Sequence, residues 1–130
     1  MPGDTTTREN YRLIPLKPGD AFKTISNSRR RRVLLSLDCS DTPLSAGDLA
    51  VEIAAIENGI KPSAVTSEQR SRVYITLTQV HLDALHDVGA VQYDSRSKQV
   101  APTDATAGLA EVIRRTKSSC YSLKSEHGVE

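Results

Sequence analysis

The side chains of this chain that could do chemistry are mostly arginines, and they come in groups. Arg29, Arg30, Arg31 and Arg32 stand in an unbroken row after Asn27-Ser28. Ser67, Gln69, Arg70, Ser71, Arg72 and Tyr74 crowd a second polar stretch, and Arg96 and Lys98 mark a third. Guanidinium groups bind carboxylates and phosphates bidentately. In the grooves of a nucleic acid, Arg pairs with guanine and Gln with adenine, while Ser and Thr reach either phosphate or base. Groups arranged for covalent chemistry are absent: there is no glycine-rich phosphate loop, no nucleophile elbow and no paired histidine–carboxylate motif. The expectation is a binding protein rather than an enzyme, with no cofactor.

A metal centre is not expected either. His81 and His86 are five residues apart, which does not bring two imidazoles to one helix face, and Cys39 and Cys120 lie far from each other in no ligand spacing. The same two cysteines make no disulfide scaffold.

These side chains must be held by a small frame. The chain has 130 residues, a length that implies one domain, with 38% apolar and 25% charged residues. One Phe, four Tyr and no Trp leave Leu, Ile, Val and Ala to build the core. The net charge of +1 means that any attraction to a polyanion has to be local. No run approaches the ~18 apolar residues that span a membrane. The N-terminus lacks an apolar signal region and carries Asp4, so a cytoplasmic protein is expected.

Residues 1–19 read as a loose arm in which only Leu13-Ile14-Pro15-Leu16 could pack. Asp20 is a plausible cap for a short helix to Ile25, with Phe22 and Ile25 facing inward at i and i+3. Asn27-Ser28 caps a helix over 29–38 whose inner face is Val33, Leu34 and Leu37. Ser45 caps the next, with Asp48 at N3 and Leu44 and Leu49 at the staple positions, and Asn58-Gly59 ends it. Thr66 and Gln69 form a second capping box that opens the longest helix, free of Gly and Pro from Ser67 to Val88. After Gly89 the period shortens: residues 90–93 and 98–101 read as a β-hairpin with a charged tip. A last helix over 104–117 shows Ala105, Leu109, Val112 and Thr116 along one seam, and residues 118–130 read as a disordered tail.

The stretch His81-Leu82-Asp83-Ala84-Leu85-His86-Asp87-Val88-Gly89-Ala90-Val91 resembles the H-L-x-x-L-x-x-x-G-x-V pattern of winged-helix repressors of the ArsR and MarR type. There it closes the recognition helix and enters the wing. Residues 27–34, Ser67 through Leu77, His81-Leu82 and Val91 through Asp94 together resemble a family of small winged-helix proteins of halophilic archaea, few of which have an assigned function. The likeness covers about residues 20–102. It implies a mainly α winged helix-turn-helix with a β-hairpin wing, and with it DNA binding. Two departures stand out: the chain is near neutral where halophile proteins are acidic, and the 58–66 connection is longer than the usual turn of the motif.

That frame assigns roles. Ser67, Gln69, Arg70, Ser71, Arg72 and Tyr74 would lie on the recognition helix in the major groove. Arg29, Arg31 and Arg32 would hold phosphate, because a cation run in a first turn opposes the helix dipole and invites an anion; a solvated or internally paired surface is the alternative. Arg96 and Lys98 would touch backbone from the wing. Ala105, Leu109 and Val112 would pair with a second copy. The expected function is a sequence-specific, homodimeric regulator on double-stranded DNA, and the alternative is a winged-helix adaptor that binds protein and no DNA.

Overall fold

The computed structural model describes residues 13–120. The elements are α1 (Pro18–Ile25), α2 (Ser28–Asp38), β1 (Leu44–Ser45), α3 (Ala46–Asn58), a 3₁₀ turn (Pro62–Ala64), α4 (Ser67–Thr76), a π turn (Leu77–His81), α5 (Leu82–Asp87), β2 (Val91–Asp94), β3 (Gln99–Pro102) and α6 (Thr106–Ser119). The expected mainly helical fold with a β-hairpin is the one the chain forms. The expected arm and tail fall largely outside the described residues; within them, Ile14 and Leu16 rest against the core and α6 runs two residues past its expected end.

Local chemistry sets most boundaries. Asn27 Oδ1 accepts from the N–H groups of Arg29 and Arg30, which starts α2. Ser45 Oγ accepts from Asp48 N at 3.0 Å to start α3, and Gly59 at φ 64° ends it in the left-handed conformation that a Cβ disfavours. Thr66 and Gln69 close a reciprocal capping box at α4. Between Thr76 and Leu82 the backbone widens into a π turn without a Gly or Pro, so the helix continues in one body through Asp87.

Leu34, Leu37, Leu49, Ile53, Leu77, Leu82, Leu85 and Leu109 are fully buried and join every long element to one core. The sheet has the order β1-β3-β2, all antiparallel, with Tyr93 opposite Val100 and Leu44 also opposite Val100. Strand β1 went unseen in the sequence because two residues carry no period. Its register brings Ala46 N to Lys98 O at 2.8 Å, so the hairpin is bonded to the first residue of α3. Thr106 Oγ1 donates to Ala90 O at 2.7 Å and accepts from Thr103 N at 2.8 Å, locking α6 to the hairpin base. No helix among the described residues is long and apolar enough to cross a membrane.

Two expectations about packing are corrected. The buried edge of α1 is Ala21, Thr24 and Ile25, which turns Phe22 outward to 70% exposure; the helix begins at Pro18, and Asp20 is inside its first turn rather than its cap. In α6 the inner stripe is Ala105, Leu109 and Ile113, packed into the core of this same chain, with Val112 half-buried and Thr116 exposed. Ala105 and Leu109 are fully buried, so they are not free to form a seam with a second copy.

Candidate functional site

The helix pair α3–α4, the hairpin and the arginine run place the polar side chains at two opposite ends of α3. Ten residues separate Gly47 from Glu57, about 15 Å at ~1.5 Å per residue.

At the N-terminal end, α4 crosses α3 so that Arg70 lies over its first turn. A Cβ on Gly47 would stand 2.8 Å from Arg70 Nη2, a contact that only glycine leaves open without moving the guanidinium. The Arg70 guanidinium also stacks on Tyr74, 5.3 Å from the ring centroid, which keeps it extended along the helix. It has no acidic partner among the described ion pairs. The neighbouring Ala46 N donates to Lys98 O, so the hairpin is joined to the same first turn of α3 that Arg70 approaches. Ser67 and Ser71 are exposed on the same helix, whereas Tyr74 is half-buried as the platform for Arg70.

The hairpin tip is a four-residue turn between Asp94 and Gln99. Asp94 Oδ1 accepts from Arg96 N at 2.9 Å, and this bond with those from Ser97 holds the Asp94 carboxyl below its ordinary pKa, ionised and committed to the turn. Lys98 sits at φ 61°, a conformation that costs a non-glycine residue roughly 1 kcal/mol. Neither Arg96 nor Lys98 makes an ion pair among the described residues.

Two residues expected to read bases are otherwise engaged. Gln69 Oε1 accepts from Thr66 N at 2.9 Å to complete the capping box. The paired contact to adenine needs both ends of the amide, so Gln69 would have to open its own helix to make it. Arg72 Nη2 donates to Glu68 Oε2 at 2.8 Å, one turn back on the same face. Both groups are three-quarters exposed, so this pair is weak and water-screened.

At the C-terminal end of α3 the arginine run meets other parts of the chain, and Arg29 takes the internally paired alternative to a phosphate contact. Arg29 forks onto Glu57, Nε to Oε2 at 2.7 Å and Nη2 to Oε1 at 2.8 Å, tying α2 to the last turn of α3. Arg30 donates to Thr24 O at 3.0 Å and Lys23 O at 2.8 Å, and Arg31 to Ile25 O at 2.8 Å. These carbonyls end α1, Lys23 O also accepting from Ser26, and the guanidinium charges lie at the negative end of that helix dipole. Arg32 approaches Glu52 at 3.9 Å. The cost of cations in the first turn of α2 is thus offset at the last turn of α1.

Arg30 Nη1 also stands 3.4 Å from Nδ1 of His81, the buried residue that closes the π turn. Burial, then the Arg30 and Arg29 charges, lower the His81 pKa from its ordinary value. His86 Nδ1 accepts from Tyr93 N at 3.2 Å and so supports the hairpin. Among the described residues no cluster of three His, Cys, Asp or Glu side chains is placed to hold a metal, and Cys39 and Cys120 are free thiols.

The sequence did not reveal the first turn of α3 as part of the site. The available signal was Gly47, a glycine two residues after a helix cap, where a helix former costs nothing unless something must approach closely. Residues 22–101 match the family model of a domain of unknown function, DUF7344, and the chain belongs to that family. No curated protein and no solved structure matches it.

Proposed function

We propose that this DUF7344 member binds double-stranded DNA as a winged helix-turn-helix regulator of transcription. The first half of α4 enters the major groove, while the first turn of α3 and the β2–β3 hairpin hold the flanking phosphates. The observation that carries the reading is that the first turn of α3 is met both by the Arg70 guanidinium and by the backbone of Lys98. Cations without internal acids suit phosphate. The order α2, β1, α3, α4, β2, β3 supports it, since a hairpin following the second helix of such a pair lies beside the groove-binding helix. The strained Lys98 supports it too: a lysine kept where glycine fits better points to a role for the side chain. Such a role belongs in the cytoplasm.

Arg70 and Ser71 are the base-reading candidates, and Arg96 and Lys98 contact backbone. The test is fluorescence anisotropy of the full chain on mixed duplex fragments titrated with salt. Three phosphate contacts give a slope of log K against log salt near −3, from about −0.9 per contact. The same titration gives copies per duplex; two copies would mean a homodimer joined elsewhere than at Ala105 and Leu109. Absence of binding at low salt would favour the adaptor reading, which the paired Arg29 and the exposed Ile75 and Val80 make specific.

A further inference from the structure

The arginine run is only partly consumed by its internal partners, and what is left over borders a cavity. Between α2, α3 and α6 lies a depression of about 250 Å³. Its floor is apolar: Ile53 and Ile113 are each 2% exposed and Leu35 is half-buried. At its lip stands Ile56, a large aliphatic side chain left 53% exposed. Its rim is cationic, built from Arg31 and Arg32 in the first turns of α2 and Lys117 near the end of α6.

The charges do not cancel locally. Glu57 is the one acid lining the cavity, and both its oxygens are taken by Arg29. Arg31 is bonded to a neutral carbonyl, and Lys117 makes no ion pair among the described residues. Arg32 has Glu52 only at 3.9 Å, and that carboxylate already accepts from Ser36 at 2.7 Å. The groove continues past Arg32, Leu35 and Lys117 toward Cys39 and Arg114, whose guanidinium is paired with Asp38 at 2.8 Å. An apolar floor beneath a surplus of guanidinium and ammonium groups matches an amphipathic anion. The volume lies just below the ~300–1,000 Å³ of sites for drug-sized ligands, so the occupant is small.

We propose that this groove binds a small carboxylate with an apolar body. The body rests on Ile53, Ile56 and Ile113, and the carboxylate is held by Arg31, Arg32 and Lys117. This site stands at the opposite end of α3 from the DNA surface and does not depend on it. Octanoate is the probe, with acetate (charge without body) and octanol (body without charge) as controls, all at matched ionic strength and below micelle-forming concentrations. Amide chemical shifts of the full chain are followed during titration. Saturable shifts centred on residues 28–35, 53–57 and 113–117 are expected with octanoate, at least tenfold tighter than with either control. Lys117→Glu and Ile56→Ser change exposed side chains, so both variants keep the fold, and each weakens octanoate binding about tenfold. Equal affinity for acetate, equal affinity for octanol, shifts located elsewhere, no saturable shift, or indifference to both substitutions would overturn the proposal.

Discussion

The two ends of α3 carry the same residue type and use it in opposite ways. At the C-terminal end Arg29, Arg30 and Arg31 are tied to Glu57, Thr24, Lys23 and Ile25, and they connect three helices. At the N-terminal end Arg70 and Lys98 have no acidic partner among the described ion pairs. A row of four arginines draws the eye as an anion site, yet Arg29, Arg30 and Arg31 meet partners within the chain, whereas the single arginine on a tyrosine has no acid among the described ion pairs. Density of charge along a sequence says less than whether the fold supplies each charge with a partner.

The sharpest way to break this contrast is to truncate one arginine from each end. Arg30→Ala removes two bonds to helix-ending carbonyls and the His81 contact, so it should cost ~2 kcal/mol, with a Tm on the order of 10 °C lower by calorimetry. Its DNA affinity should be unchanged at temperatures where it stays folded. Arg70→Ala should show the reverse pattern: an unaltered Tm, duplex affinity lower by about tenfold, and a relaxed sequence preference. If both variants lose stability alone, or both lose affinity alone, the two ends do not differ as described.

Lys98→Gly sharpens the comparison at the hairpin. It should leave stability equal or raise it by up to ~1 kcal/mol by relieving the positive φ, while weakening DNA binding severalfold. A loss in both would mean that the lysine is structural. Gln69→Ala should lower stability by ~1 kcal/mol through the cap and leave base preference intact, measured by selection from random duplexes; changed preference would return Gln69 to the groove.

The smallest effect concerns pH. His81 has a folded-state pKa below its unfolded value, so the unfolded chain takes up the proton first as pH falls. Its contribution is therefore fully present above about pH 6.5 and is lost as pH drops from there through the lowered folded value. Urea titrations across that window should show stability falling with pH, and His81→Gln should flatten this part of the profile.

Much of the frame was legible in the residues. The caps at Asn27, Ser45 and Thr66, the stops at Gly59 and Gly89 and the alternation around Val91 and Tyr93 are local chemistry that a sequence states directly. Phe22 and the α6 seam misled because a helical period shows that a stripe exists and not how far round the core reaches. An amphipathic α6 looks the same whether it covers its own domain or a neighbour. Strand β1 and the π turn carry no pattern of their own; β1 forms only where β3 pairs with it.

The sequence by itself determined the order of the long helices and the hairpin, most of the core and the capping of α2, α3 and α4, because each rests on neighbours within a few positions. Only the tertiary structure decided which cations are free. Glu57 lies 28 residues from Arg29, and the Gly47 gap that admits Arg70 is 23 residues from it. Pairings at that range are set by how helices cross, which no local spacing encodes.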